Sequence, residues 1–315
     1  MKRYFLKRVL QLFLVMILAS FLTFALTYMS PSDPAEMMLM SHDVMPTDEI
    51  LAKTREEMGL NTPFLVQYGN WLKNLLMGDF GYSYSTRGPV TDVLAQRMVM
   101  TGKLATVSLL FLIVCSVSLG ILSAIKQNKL IDYLIRSLSF IGISIPSFWL
   151  GLILIYIFVV KLNWFKITEP NSFNSVFLPA ITLSIPLIGR YTRQIRAAIL
   201  EQYSQDYVIG ARARGVNEKE IMINHILPNA FLGIVTLLGL SIAVLLGGTV
   251  IVESIFSWPG LGSMALEAIT YRDYPLLQAY VLFMVLIYVT LNFFVDIVTE
   301  AFNPKVKVRG RKIDE

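Results

Sequence analysis

Few side chains in this sequence have the type and spacing to do chemistry. The two histidines, His42 and His225, stand far apart in the chain, and neither belongs to an H-E-x-x-H pair. No G-x-S-x-G is present to carry a serine nucleophile. Lys103 follows Gly102, but no glycine stands five residues before Gly102 and no Ser or Thr follows the lysine, so this is not a phosphate-binding loop. One cysteine, Cys115, can form neither an intramolecular disulfide nor a metal cluster. What remains is charge in unusual places: Arg190, Arg193 and Arg196 at intervals of three, Asn292 and Asp296 in an apolar run, and the polar stretch from Tyr207 to Asn229, YVIGARARGVNEKEIMINHILPN. These groups offer ion pairing, hydrogen bonding and recognition rather than bond making. The chain is therefore expected not to be an enzyme, to bind no metal and to carry no cofactor of its own.

The elements that must position these groups are set by composition. At 315 residues and 55% hydrophobic, with a mean hydropathy of +0.61, the chain is too apolar for a water-soluble domain of its size. Runs of about twenty apolar residues fall at Val9 to Met29, Leu104 to Ile125, Leu134 to Val160, Val176 to Leu200, Ala230 to Val252 and Ala279 to Phe302. The expected fold is an all-α polytopic membrane protein with six transmembrane helices and both termini on one side.

Lys and Arg decide which side. Lys2, Arg3, Lys7 and Arg8 precede the first run and Lys305, Lys307, Arg309, Arg311 and Lys312 follow the last; Lys126, Lys129, Arg136, Arg190, Arg193, Arg196, Arg212, Arg214 and Lys219 fall in loops or span ends on that same side, which is expected to be cytoplasmic. The formal charge of +5 thus reports topology, and no basic stripe with interleaved aromatics suggests nucleic acid. The first run is too long for a signal-peptide core and lacks a small-residue cleavage site, so it is expected to be retained.

The polar stretch reads as two short helices around a corner. Tyr203, Tyr207 and Ala211 recur at helical spacing from Leu200 to Arg214, and Arg212 and Arg214 suit a helix C-terminus. Gly215 is expected to cap that helix in the left-handed region. Asn217 with Glu220 reads as a capping box for the second helix, and Pro228 is expected to end it.

The order Tyr207, Ala211, Arg212, Ala213, Gly215, Ile221, His225, Pro228, Asn229 resembles the cytoplasmic EAA-type loop of ABC importer permeases of the dipeptide, oligopeptide and nickel group. Further runs match the same family: Gly59 to Pro63 (GLNTP), Gln67, Tyr68 and Trp71, Gly78 to Gly81, Glu253 to Gly262, and Tyr271 to Pro275. The resemblance implies a type I ABC importer transmembrane domain in the cytoplasmic membrane of a bacterium. It implies pairing with a homologous permease as a heterodimer, two ATPase subunits that bind the ATP and Mg, and an extracytoplasmic solute-binding protein. In that family the loop enters a cleft on the ATPase, which makes Tyr207, Ala211, Arg212, Ala213, Arg214, Gly215, Ile221, His225 and Pro228 the expected coupling residues. The segment after the first span corresponds to an external scoop near the binding protein, although packing over the helix tops accounts for any single residue there equally well.

Pathway or gate candidates are Pro146 and Pro186, whose missing N–H groups favour kinks, Gly247 and Gly248 as a close-packing seam, and Glu253, Pro259 and Gly260 at the implied outer mouth. For the prolines a fixed packing bend is the alternative, for Gly247 and Gly248 a bend in their helix is an equal one, and for the arginine triplet a snorkelling cytoplasmic boundary outweighs an anion-binding face. Asp296 suggests either helix-to-helix hydrogen bonding or a proton relay.

The expected domains are 1–29, the first span; 30–98, an extracytoplasmic helical segment; 99–302, the permease core with its coupling loop at 200–228; and 303–315, a basic tail. The expected function is ATP-driven import of small peptides or a nickel or other metal chelate. An ion-gradient-driven transporter and a non-transporting scaffold or receptor are the alternatives. The stretches 47–71 and 247–262, and more weakly the short loop Lys161 to Ser175, lean toward the nickel, dipeptide and glutathione end of the family.

Overall fold

The computed structural model describes residues 2–166 and 173–302; several side chains within helices, Asp296 among them, lie outside the described set. The basic tail 303–315, the side chains of the N-terminal basic cluster, and the middle of the loop between Lys161 and Ser175 also fall outside it.

In chain order the helices are α1 (Lys2–Tyr28), α2 (Pro34–Ser41), α3 (Asp48–Glu57) and α4 (Phe64–Leu76). A small antiparallel hairpin of β1 (Tyr82–Ser83) and β2 (Gly88–Pro89) precedes α5 (Val90–Ile125). Then come α6 (Leu130–Ser144), α7 (Ser147–Leu154) with a wide-turn extension Ile155–Lys161, and α8 (Phe173–Tyr203). The chain ends with α9 (Asp206–Ala213), α10 (Glu218–Ile221), a wide turn Met222–Ile226, α11 (Leu227–Ile255), α12 (Leu261–Thr270) and α13 (Tyr274–Phe302).

Each expected span falls on a helical segment, but the segments differ in kind. Among the described residues, Leu10–Tyr28, Val90–Ile125 and Tyr274–Val295 are long and apolar enough to cross a membrane alone. Two bent pairs, α6 with α7 and Glu218–Phe231 with Gly233–Gly239, bring the number to five if each is one span. The expected fourth span, α8, does not meet that apolar test. It carries Arg190, Arg193 and Arg196, and its buried polar groups Thr182 and Ser184 are satisfied within the protein: Ser184 Oγ bonds the Ser108 carbonyl at 2.9 Å. A helix enclosed by neighbours can be less oily than one facing lipid.

The third span also departs from expectation. It is broken by 101° between α6 and α7. Pro146 N-caps α7, with Ile145 before it extended at φ −80 and ψ 124, because the proline ring excludes the helical conformation at the preceding residue. Pro186 does the opposite: α8 runs through it and through Pro179 without interruption.

The chain divides into two compact units, one of Met1–Thr101 with Pro259–Thr290 and one of Gly102–Trp258 with Leu291–Glu315. In the first, Phe24 of α1 lies among Phe64, Tyr68 and Trp71 of α4, with ring centroids 5.3 to 5.6 Å apart. Tyr68 also shares a hydrogen bond with Ser20 at 2.9 Å, and the Gln67 carboxamide donates to the carbonyls of Leu60 and Thr62. The Gln67, Tyr68 and Trp71 cluster therefore ties the GLNTP turn and α4 to α1. Val90, Leu94, Leu261, Met264, Ala268, Leu276 and Ala279 form this unit's buried core.

The second unit is built on α8. Its Leu178, Leu183, Leu187 and Tyr191 pack with Leu112, Leu245, Val252 and Phe256, while Ile195 and Ile199 join a second cluster nearer the polar elbow. Gly189 lets α8 approach α6 closely: a Cβ there would lie 2.4 Å from the Ser139 carbonyl oxygen.

Candidate functional site

The elbow between α8 and α11 forms as two short helices around Gly215, with three differences from the sequence expectation. The first helix is separate from α8. The Ser204 hydroxyl donates to the Glu201 carbonyl at 2.8 Å and Gln205 is extended, so the chain turns before α9 begins. Second, Asn217 caps α10 by accepting from the Lys219 N–H at 3.0 Å, but the corner is clamped by Glu218 rather than by a return bond from Glu220. Arg212 donates through Nε to Glu218 at 2.5 Å and through Nη2 at 3.1 Å. Third, Pro228 does not end a helix. The helix runs on through it, with Ile226 and Leu227 before it both helical, and the wide turn Met222–Ile226 accommodates its ring and its missing N–H.

Gly215 adopts φ +78 and closes α9 as expected, its N–H bonding the Arg212 carbonyl at 2.9 Å and that of Val216 the Ala211 carbonyl at 3.2 Å.

The elbow has two faces. Val208 and Ala211 of α9 are buried with Ile221, Met222 and Ile226 against Ile195 and Ile199 of α8 and Ala124 of α5. Ala211 and Ile221 thus serve the packing of the elbow on the membrane helices. The opposite side of α9 is bare: Tyr207, Ile209, Gly210, Ala213, Arg214 and Gly215 are exposed, and Ile209 is 56% accessible. A Cβ added at Gly210 would meet nothing within 4 Å. Tyr207 bonds Gln202 at 3.0 Å, and partial burial raises its phenol pKa while the Asn229 carboxamide acts against that. His225 is half-buried in the wide turn, where its backbone carbonyl accepts from Asn229 Nδ2 at 2.6 Å; Pro228 is exposed. Sequence reasoning passed over Ile209 and Gly210, although an isoleucine and a glycine beside the motif's alanines were visible signals.

Sequence reasoning also missed Asp132. Its side chain is fully buried and accepts from Ser123 Oγ at 2.5 Å, the Asn128 N–H at 3.0 Å, and Nε and Nη2 of Arg196, both at 2.8 Å. Of the arginine triplet, Arg190 and Arg193 are exposed, whereas Arg196 has this partner. Removing one member of such a buried pair costs about 3–5 kcal/mol. An aspartate four residues before Arg136 in an apolar run was the available signal, hidden among the loop charges.

The pathway candidates are divided between the two units. Pro146 is exposed at the bend and Pro186 half-buried; a Cβ added at Gly247 would meet nothing within 4 Å, whereas one at Gly248 would lie 3.4 Å from Leu183 Cδ1; Glu253 is wholly buried. These belong to the second unit, while Pro259 and Gly260 belong to the first, where Gly260 N-caps α12 and its N–H bonds Ser263 Oγ at 3.1 Å. Of the sixth-span pair, Asn292 is half-buried and the Asp296 side chain lies outside the described residues.

Mostly helical, with several apolar helices and a structured polar elbow, the chain has the build of a membrane-embedded protein. Residues 116–308 match the family described as binding-protein-dependent transport system inner membrane component, and residues 1–105 match the N-terminal component of the same systems. The chain is 38% identical over 312 residues to the metal-staphylopine import system permease protein CntB of Staphylococcus aureus, covering 99% of this chain and all of that one. It is 34% identical over 309 residues to the glutathione transport system permease protein GsiC of Escherichia coli, covering 98% of this chain and all of that one. An inward-facing structure of the MetNI methionine ABC transporter shares the fold, with a TM-score of 0.56 and 19% identity over 68% of this chain and 97% of that chain. The chain belongs to the family of binding-protein-dependent transport system inner membrane components. It is the non-catalytic, membrane-embedded permease subunit of an ABC importer, a system that works with ATPase and substrate-binding partners.

Proposed function

We propose that this permease sits in a bacterial cytoplasmic membrane with both termini inside, pairs with a homologous permease, and is driven by two ATPase subunits that grip α9. The observation that carries this reading is the bare side of α9, where Ile209, Gly210 and Ala213 present a small, partly apolar ridge beside Arg214 while the other side is locked to α8. A short helix stiffened at one end by Gly215 and the Arg212–Glu218 pair suits insertion into a cleft, because little order is lost on binding. The ATP and Mg belong to the partner subunits; this chain needs no cofactor.

The cargo we infer is a small peptide-like solute, free or as a metal chelate, handed over by an extracytoplasmic solute-binding protein. The names of CntB and GsiC support that class, since one serves a metal complex of staphylopine and the other glutathione. Closure of the ATPase pair would push on α9, rock the two permeases and alternate the access of the cavity between them. Uptake of labelled dipeptide, glutathione and chelated nickel, in cells with and without this chain, tests the reading. Chain-dependent accumulation of one of them that stops on ATP depletion supports it. Accumulation that follows an ion gradient instead overturns it.

A further inference from the structure

The Asp132 carboxylate gathers four hydrogen bonds from three places in the chain: Ser123 near the end of α5, the Asn128 N–H in the turn before α6, and the guanidinium of Arg196 on α8. Arg196 is held through two nitrogens, a geometry that fixes the rotation of α8 about its axis as well as its distance from α6. Ile195 and Ile199, on either side of Arg196, are 0% exposed and belong to the cluster that receives Val208 and Ala211 of α9. A force on α9 therefore reaches α8 beside the point where α8 is bolted to α5 and α6. A boundary arginine has no need of this arrangement, since it can snorkel, and packing alone is served as well by an apolar pair.

We propose that Asp132 and Arg196 are positioning residues of the energy-coupling step, holding α5, α6 and α8 in one register so that movement of α9 turns the α6–α7 pair instead of being lost as slippage between helices. This rests on the reading of α9 as the helix gripped by the ATPase. The pair makes no contact with cargo in this role; it acts through α8.

The test uses the whole transporter in proteoliposomes and reads solute imported per ATP hydrolysed. In parallel, a cysteine at Gly210, in a Cys115→Ala background, reports cross-linking to the ATPase. Asp132→Asn is expected to lower import per ATP roughly tenfold while the cross-link is kept. Arg196→Lys, which keeps the charge but not the two-nitrogen geometry, should fall between Asp132→Asn and wild type, and Ser123→Ala should lose about twofold. If Asp132→Asn does not assemble, Arg196→Lys and Ser123→Ala decide the matter by the same ratio. Wild-type import per ATP in the assembled variants overturns the proposal. Absence of the cross-link in the otherwise unaltered transporter instead overturns the reading of α9, so the two failures are distinguishable.

Discussion

Ser83 and Asp273, 190 positions apart in sequence, are joined by a buried hydrogen bond of 2.6 Å from the serine hydroxyl to Oδ2 of the carboxylate. The same Oδ2 also accepts from the N–H and hydroxyl of Ser85 at 2.9 and 2.8 Å, so one aspartate holds the hairpin to the corner between α12 and α13. Asp273→Ala is expected to destabilise this unit by about 2–3 kcal/mol, because buried donors lose their acceptor, and Asp273→Asn by less. Thermal unfolding of the purified transporter checks the order.

Tyr84 lies in the same hairpin, 8% exposed. Burial, and then the charge of Asp273, push its phenol well above the ordinary tyrosine value. A group whose folded pKa is raised contributes stability that is fully present below its unfolded pKa, about 10, and is lost as pH rises toward the folded value. The transporter should therefore lose stability above about pH 10, and Tyr84→Phe should flatten that part of the profile. An unchanged alkaline limb in Tyr84→Phe would contradict the assignment.

Gly215 and Gly189 should respond to substitution for different physical reasons. At Gly215 a Cβ meets nothing, so Gly215→Ala costs only the left-handed conformation, about 1–2 kcal/mol, and Gly215→Asn less. At Gly189 the Cβ would strike the backbone of α6, so Gly189→Ala must separate two packed helices and costs about 1–3 kcal/mol or more. At Gly120 an added Cβ would lie 2.7 and 2.8 Å from Cγ2 and Cβ of the buried Ile195, atoms held by the α8 backbone, so Gly120→Ala should cost about as much as Gly189→Ala, and both more than Gly215→Ala. Denaturation of the three variants in detergent ranks them.

The Arg212–Glu218 pair is mostly exposed, with 42% and 59% of the two side chains accessible. Breaking it should change stability by under about 1 kcal/mol. Arg212→Ala is therefore expected to leave folding intact and to lower ATP-driven uptake through a looser elbow, a split visible by comparing melting temperature with transport.

Much of this was legible in the sequence because it rested on local rules. The apolar runs and the left-handed Gly215 follow from periodicity and turn chemistry. The break at Pro146 was visible as a proline but not as a near right-angle bend, because a single sequence does not reveal how neighbouring helices receive the freed chain. The hairpin at 82–89 is too short to announce itself, and the start of α5 at Val90 was hidden by polar residues that read as external loop. Asp132 with Arg196, and Ser83 with Asp273, are long-range pairs whose members look like ordinary loop and boundary polar residues until the fold brings them together. The split of the elbow into a buried Ala211 side and a bare Ile209 side likewise needed α8 in place.

The account depends most on what touches α9 inside the cell. In inverted membrane vesicles holding the whole transporter, with Ile209→Cys in a Cys115→Ala background, a short bifunctional thiol reagent should link position 209 to an ATPase subunit, with a yield that changes when ATP is hydrolysed. No link to any nucleotide-hydrolysing subunit, or labelling of position 209 by an impermeant thiol reagent added only from the extracytoplasmic side, would contradict it.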